Sequence, residues 1–300
     1  MRSLFFLVAV CITITAYPQE IAITFDDAPT PDGPLFSGTE RTEKIIGHLK
    51  TRNIREVAFF VVTRHISAYD SGRLDRYTNA GHILANHSHT HQHIHDVGTR
   101  AYIRDMQQAD SILKHYHSYI PWFRFPFLDE GRTIEARDSI RTAMETVGLA
   151  NGYVTIDNYD WYINNLLKQA TEHNRKINEA RLREIYVEHI YRSILFYDDI
   201  AKKHLGRSPR HVLLLHENDL AALFLGDLVD HLRANGWKII SPREAYADSI
   251  AAHIPDVLFN GQGRVAAIAR EKGIPARQLV QESEDEMFLD QLVSEKKAFE

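Results

Sequence analysis

Short apolar runs alternate with helix-length amphipathic segments through most of this chain, and this alternation restricts its fold more than any other feature. Residues 57–62 are continuously apolar, as in a strand that is covered on both faces of a parallel sheet. The preceding segment, 39–52, repeats its apolar residues at helical spacing, with Ile45, Ile46 and Leu49 on one face. Strands that alternate with helices in this way predict an α/β protein built on a parallel sheet.

The same criteria place the remaining elements. Helices are predicted at 74–79, 101–117, 134–147 and 220–235, and strands at 83–85, 122–125, 212–215 and 237–240. Segment 162–204 has no Pro or Gly and predicts two further helices. Residues 249–300 are predicted to be helical and charged, with a loose end.

Two adjacent carboxylates, Asp26 and Asp27, end the first apolar run, and Ala28-Pro29 stops the strand after them. Neighbours on a turn point in different directions, so one carboxylate can bind a metal while the other faces a bound water. A hydrolytic metal site needs an open coordination position with a base beside it. The simpler interpretation is that the pair only begins a polar loop, which continues as a Pro- and Gly-rich segment to residue 38.

His87 and His91 follow the predicted strand at 83–85 and are spaced four residues apart. On one side of a helical turn their imidazoles could reach a single cation such as zinc. The spacing alone is a weak signal in a chain with 17 histidines. Its position strengthens it, because strand ends are where α/β proteins build their sites.

Five motifs follow one another along the chain: Thr24-Phe25-Asp26-Asp27, His87-Ser88-x-x-His91, Arg124-Phe125-Pro126-Phe127, Asp157-x-x-Asp160-Trp161 and Leu214-Leu215-His216-Glu217. In this order they resemble the motifs of the polysaccharide deacetylases, also called the NodB-homology or carbohydrate esterase 4 family. The resemblance extends from about residue 21 to residue 241. It implies a distorted, incomplete (β/α) barrel, to which this chain adds a helical insertion at about 162–208 and a helical C-terminal extension at 249–300.

The resemblance also implies roles for the motif residues. Asp27, His87 and His91 would bind one divalent metal, with zinc favoured over Co²⁺ or Ni²⁺, and the mature chain would have no cysteine to compete as a ligand. Asp26 would be the catalytic base and His216 the acid. The supporting and substrate-binding residues that it implies are Arg124 holding Asp26, Asp160 holding Arg124, the backbone N–H of Phe127 at the oxyanion, and Trp161 and Leu214 around the acetyl methyl group.

Several residues near the motifs have weaker interpretations. Ser88 and Thr90 are predicted to support the histidine loop by local hydrogen bonds, and Glu217 to orient His216. The nearby histidines predicted to be solvated or structural are His89, His93 and His95. Two residues depart from the family pattern: Phe127 stands in place of Tyr, and Leu128 in place of Gly. These changes affect the prediction of the substrate more than the prediction of the reaction.

The N-terminus resembles a secretory signal peptide, with Arg2 before an apolar stretch and cleavage expected near residue 16. The chain would then be secreted or periplasmic, with a deacetylase domain over 17–248 and no membrane span after cleavage. A net charge of −5 offers no basic field for nucleic acid. The residues leave the oligomeric state open.

We therefore expect a secreted metal-dependent deacetylase that removes N-acetyl, or alternatively O-acetyl, groups from a carbohydrate. Chitin-like oligomers, peptidoglycan, an exopolysaccharide and xylan all remain open as substrates. One alternative is a catalytically silent carbohydrate-binding protein that keeps the metal, although such a protein has no need of both Asp26 and His216. Another is a deformylase or amidase acting on a non-sugar amide.

Overall fold

A single parallel sheet forms the centre of the molecule, for which a computed structural model describes residues 19–300. Its strands are β1 (Glu20–Ala28), β2 (Ala58–Val61), β3 (Ile83–Asn86), β4 (Tyr119–Phe123), β5 (Ala150–Asn151), β6 (His211–His216) and β7 (Lys238–Ile239). They lie in the order β5-β4-β3-β2-β1-β6, and β7 pairs with the start of β1. The sheet curls into a half-barrel, which confirms the predicted distorted, incomplete (β/α) barrel.

Helices follow most of the strands and cover the sheet. They are α1 (Gly38–Thr51), α2 (Ile66–Tyr69), α3 (Arg73–Asn79), α4 (Ile94–Val97), α5 (Thr99–Leu113), α6 (Ile134–Val147), α7 (Asp160–Glu172), α8 (Glu179–Leu205), α9 (Asp219–Ala234), α10 (Pro242–Tyr246), α11 (Arg264–Glu271) and α12 (Glu286–Glu295). Over residues 19–300, none of them combines the length and apolarity needed to cross a bilayer.

The predicted elements agree closely with those of the structure, because their local signals are strong. Ser37 and Glu40 form a reciprocal capping box that starts α1, and Gly148 and Gly206 end α6 and α8 in the left-handed conformation. After α6 only two residues, those of β5, are in regular strand geometry. The two helices predicted after residue 162 are α7 and α8.

The end of the chain is packed, so the prediction of a loose end is wrong. Phe299 is 6% exposed, and it forms an antiparallel bridge with Ile177 between α7 and α8. The backbone N–H of Lys176 donates to the carbonyl of Glu300. The main core includes Val265, Leu289 and Phe299, so residues after 249 share the apolar interior. The predicted signal peptide and Cys11 lie outside the described residues.

Candidate metal centre and active site

The polar residues predicted to act together lie where three parallel strands end. Asp26 and Asp27 are near the end of β1, His87 directly follows β3, and His216 is the last residue of β6. Strands β1 and β6 are neighbours in register, with Asp26 opposite His216. Because parallel strands bring their carboxyl ends to one edge of the sheet, these side chains converge there.

Asp27, His87 and His91 present three ligand atoms to one point. Asp27 Oδ1 lies 3.2 Å from His91 Nε2 and 3.6 Å from His87 Nε2. Ligand bonds of about 2.0–2.2 Å in a tetrahedron separate neighbouring ligand atoms by about 3.3–3.6 Å. The observed spacing is therefore that of two imidazoles and a carboxylate around a single zinc-sized cation.

The hydrogen bonds around the triad also fit a metal. Asp27 Oδ1 is buried and has no hydrogen-bond partner within residues 19–300, which is costly unless a cation faces it. The His87 Nδ1–H donates to the carbonyl oxygen of Arg124 over 2.9 Å. This bond fixes the ring and leaves the Nε2 lone pair directed at Asp27, the arrangement expected of a metal-binding histidine.

A tight loop brings the two histidines together, so the interpretation that they lie on one side of a helical turn is wrong. Ser88 has φ 70° and His91 has φ 56°, both in the left-handed region. Asp27 (φ 70°) shares this conformation. Each such residue costs about 1–3 kcal/mol, and this kind of strain concentrates at functional sites.

Local hydrogen bonds hold the strained loop, as predicted for Ser88 and Thr90. Ser88 Oγ accepts the N–H of His91 at 2.9 Å, and Thr90 Oγ1 donates to Asp105 Oδ1 at 2.7 Å. His89 turns away from the triad, with its Nδ1 2.8 Å from Thr63 Oγ1. These bonds replace the backbone hydrogen bonds that a helix would have supplied.

Asp26 is held by Arg124, as the family resemblance implied. The Arg124 guanidinium donates from Nη1 to Asp26 Oδ1 and to Thr24 Oγ1, and from Nη2 to the hydroxyl of Tyr246. The same guanidinium lies 3.7 Å from the centre of the Phe60 ring. Asp26 is 2% exposed, and its free Oδ2 lies 3.6 Å from His87 Nε2 beside the triad.

Asp160 holds His216, so the interpretation that it supports Arg124 is wrong. Asp160 Oδ1 lies 2.6 Å from His216 Nδ1, and Asp160 Oδ2 accepts the backbone N–H of the same histidine at 2.9 Å. Asn218 Nδ2 adds a further hydrogen bond to Oδ2. The carboxylate fixes the tautomer and direction of the imidazole, which leaves Nε2 as the atom available to the cleft.

The surroundings shift the pKa values of His216 and His87 in opposite directions. Burial alone would lower the pKa of His216, but the charge and hydrogen bond of Asp160 outweigh it, and with Asp27 and Asp26 they raise the pKa to about 10. Burial lowers the pKa of His87 to about 4, against the attraction of Asp26. Burial would raise the pKa of Asp27, but His91, His216 and His87 lower it to about 2. At neutral pH the site thus pairs an anionic Asp27 and a neutral His87 with a cationic His216.

Glu217 does not orient His216, so that interpretation is wrong. Its carboxylate pairs with Arg73, accepts the hydroxyl of Tyr77 at 2.8 Å and accepts the backbone N–H of Thr30 at 2.8 Å. Glu217 is fully buried, so these contacts are not weakened by solvent. Its position fixes the loop after Asp27.

A second buried ion pair holds the other part of that loop. Arg41 Nη2 lies 2.9 Å from Asp219 Oδ1, and Asp219 Oδ2 accepts the N–H of Leu35 at 2.8 Å. Residues 30–34 form one wall of an open groove that begins at Asp27 and His216. The loop is therefore a fixed wall of the cleft.

The three predicted substrate-binding residues surround the site at different depths. Trp161 is half-buried at the start of α7 and lines the groove together with Asn164, Asn165 and Lys168 of the same helix. Leu214 is buried in β6, two residues before His216 and so on the same face of the strand. Phe127 is 45% exposed, and its ring centre lies 4.5 Å from that of His91.

Sequence reasoning missed two supporting residues. Tyr246 lies in α10, outside all five motifs, where its hydroxyl joins Arg124 to the carbonyl of Tyr153. Asn218 caps α9 with its side-chain oxygen while its amide holds Asp160. A cap residue before α9 was a visible local signal, but nothing local marks Tyr246.

Residues 14–150 match the family model described as polysaccharide deacetylase. Over 107 residues, 36% of this chain, the sequence is 29% identical to a peptidoglycan-N-acetylglucosamine deacetylase of Bacillus cereus. The matched stretch covers 35% of that curated relative, about a third of its length.

Solved structures share the fold at low identity. A family 4 carbohydrate esterase pseudoenzyme from Bacillus anthracis is 16% identical with a TM-score of 0.54, over 76% of this chain and 65% of that one. A family 4 carbohydrate esterase from Streptomyces lividans, in complex with acetate, is 18% identical with a TM-score of 0.50, over 76% of this chain and 95% of that one. Both support the NodB-type barrel seen here.

Proposed function

We propose that this chain, a member of the polysaccharide deacetylase family, is a metal-dependent hydrolase that removes N-acetyl groups from a carbohydrate. O-acetyl groups are the second candidate. The proposal rests mainly on one observation: a buried carboxylate, Asp26, and an imidazole held by the buried Asp160, His216, both lie beside the three candidate metal-ligand atoms. Amide hydrolysis needs a base for the attacking water and an acid for the departing amine, and this site offers both.

Asp27, His87 and His91 would hold the metal, with zinc favoured by the two nitrogen ligands and one oxygen ligand. When bound, the metal would supply the Lewis acidity that activates water and polarises the acetyl carbonyl. Asp26 would accept the proton of the attacking water at Oδ2, because Arg124 holds Oδ1. Arg124 also keeps that carboxylate in one rotamer, so the base is already oriented for the reaction.

His216 would donate its Nε2 proton to the amine as the carbon–nitrogen bond breaks. An amine is a poor leaving group unless it is protonated, so this step decides the rate for amides. Asp160 would stabilise the imidazolium before the step and keep its ring aimed at the cleft. The backbone N–H of Phe127 is proposed to stabilise the oxyanion, and Trp161 and Leu214 to enclose the acetyl methyl group.

The groove supports a carbohydrate as the acetyl carrier. Trp161 gives an aromatic surface, and Asn164, Asn165 and Lys168 give hydrogen-bonding groups along one side. Asp32 lies on the opposite wall. A peptidoglycan glycan is the first substrate to test, because the Bacillus cereus relative is named for that reaction.

We also propose that residues 1–16 direct the chain to a secreted or periplasmic location. The deacetylase domain would span 17–248, with its insertion at 162–208 and its extension at 249–300. Contacts such as that of Phe299 with Ile177 would make the extension an integral part of the folded domain.

Acetate release measured on a panel of acetylated glycans tests the function. The panel contains peptidoglycan, chitin oligosaccharides, a bacterial exopolysaccharide and acetylated xylan. Each glycan is assayed with zinc-loaded wild type and with Asp26→Asn. His115→Ala is the matched control, because His115 is exposed and outside the site. We expect release by wild type and control and none by Asp26→Asn. Glycan binding with no release from any member would favour the silent binding protein.

A further inference from the structure

Three side chains beyond the triad form a second cluster: His93 and His95, just before and within α4, and Asp129, which follows the Phe127 turn. We propose that these three residues bind a second divalent transition-metal ion of the zinc class, distinct from the ion held by Asp27, His87 and His91. Sequence alone placed both histidines among solvated or structural residues. Their arrangement around Asp129 supports a different role.

The three ligand atoms are spaced for one ion. Asp129 Oδ2 lies 3.6 Å from His93 Nδ1 and 3.9 Å from His95 Nδ1. A tetrahedral site with bonds of about 2.0–2.2 Å separates its ligand atoms by about 3.3–3.6 Å. Small rotations of two imidazoles, which are about a third exposed, would close that difference.

The same distances argue against a hydrogen-bonded cluster. Both separations exceed the reach of an N–H···O bond, so two imidazole nitrogens point at one carboxylate oxygen without bonding to it. His93 Nδ1 is buried and has no hydrogen-bond partner anywhere in residues 19–300. Asp129 is 6% exposed, and its other oxygen accepts the N–H of Gly131 at 2.8 Å, which fixes the carboxylate. A cation between the three atoms would satisfy all of them.

The outer nitrogen of His95 has one partner of the kind that a metal-binding ring requires. Asp96 Oδ1 lies 3.3 Å from His95 Nε2 and can accept its proton when Nδ1 binds a metal. Arg132 Nη2 now lies 3.1 Å from the same nitrogen. This guanidinium would have to withdraw, and its place at the exposed surface permits that movement.

A metal at this place would connect two loops that border the active site. The Phe127 ring stacks on His93 at 3.6 Å between ring centres and contacts the metal-triad histidine His91 at 4.5 Å. Phe127 and Leu128 both have left-handed backbones, with φ 56° and 49°. Tying Asp129 to His93 and His95 would hold this strained turn in place beside the triad. The second ion would therefore be structural.

Zinc stoichiometry tests the inference on the full-length protein. Metal-free protein is dialysed to equilibrium against zinc, and bound metal is counted by atomic spectroscopy. We expect two equivalents in wild type and in His115→Ala, and one in His93→Ala/His95→Ala. Asp129→Asn is the second variant, since it keeps an oxygen for Gly131 and removes the ligand charge; it should also bind one.

A saturation at one equivalent in wild type, or two equivalents retained in both cluster variants, would overturn the inference. Asp27→Ala separates the two sites, because it should lose the triad ion and keep the cluster ion. Wild type that binds only the ion lost in Asp27→Ala thus refutes the second site alone. Circular dichroism checks that each variant is folded, and Asp129→Asn decides the question if the double variant is not.

Discussion

His216 Nδ1 lies 2.6 Å from Oδ1 of Asp160, within a charge-assisted hydrogen bond that is screened from solvent because the carboxylate is fully buried. The pair converts a histidine that burial would keep neutral into a cation at the mouth of the cleft. A bound divalent cation would repel that charge and offset the attraction of Asp26 and Asp27. Asp160 would then be the main group that keeps His216 protonated.

Asp160→Asn should shift the basic limb of the pH–rate profile to lower pH. The acid must be protonated to act, so activity is lost as the pH rises through the pKa of His216. Removing the carboxylate charge lowers that pKa from its raised value of about 10. The measurement is kcat/KM for an N-acetylated glycan against pH. An unchanged basic limb would mean that another group is the acid.

His216→Ala should lower kcat for amides more than for activated esters. An amine leaves poorly without a proton, whereas a good alkoxide leaving group does not need the acid, and a general acid contributes roughly 10²–10⁴-fold. Initial rates on an N-acetylated oligosaccharide and on an activated acetate ester give the comparison. Equal losses on both substrates would indicate that His216 only supports the structure.

Asp26→Asn should abolish most of the activity, by roughly 10²–10⁴-fold, and retain the metal. The three residues whose ligand atoms lie together are Asp27, His87 and His91, and Asp26 is not one of them. Metal content and acetate release are measured on the same sample. Loss of the metal with normal activity per bound ion would mean that Asp26 is the metal ligand and Asp27 the base.

Glu217→Gln should destabilise the fold and widen the groove without altering the acid. Breaking a buried ion pair while Arg73 stays charged costs about 3–5 kcal/mol. Urea unfolding measures that loss of free energy. The substitution should also weaken the contact with Thr30, so that the loop is held less firmly beside the groove. KM for a glycan should therefore rise, while the pH profile should stay unchanged. A shifted basic limb would restore the idea that Glu217 orients His216.

Local patterns were enough to predict the order of strands and helices and the meeting of the Asp26-Asp27 pair with the two histidines, whereas the family resemblance was needed to single out Asp27 as the metal ligand. Period and capping determine the elements, and parallel strands bring their ends to one edge. The partners within the site could not be predicted in the same way. Whether Asp160 meets Arg124 or His216 depends on where the start of α7 lies relative to the end of β6, which no local signal specifies.

The conformation of the histidine loop was beyond sequence reasoning for a different reason. A spacing of four residues fits a helical turn, and the positive φ of Ser88 and His91 is uncommon for residues other than glycine. The support given by Tyr246 was equally hidden. It reaches Arg124 from a helix 122 positions later in the chain, so only the packing of α10 against β1 reveals it.

Metal removal should lower the melting temperature. A ligand that binds only the folded state stabilises it by about 2.7 kcal/mol at a hundredfold excess over Kd. For a domain of this size each kcal/mol is worth about 2–4 °C. For the triad ion alone we expect chelator to lower the melting temperature by about 5–10 °C and zinc to restore it, and we expect Asp27→Ala to lose this part of the response. A wild-type curve that is unchanged after proven metal loss would argue against this contribution.

The most direct test of the account is acetate release by metal-free protein before and after zinc is restored. Wild type freed of metal by chelator should lose nearly all release from its best N-acetylated glycan and regain it with zinc. Asp27→Ala should stay inactive in both conditions, and His115→Ala should follow wild type. Release at the original rate by wild type that metal analysis shows to be free of metal would contradict the account.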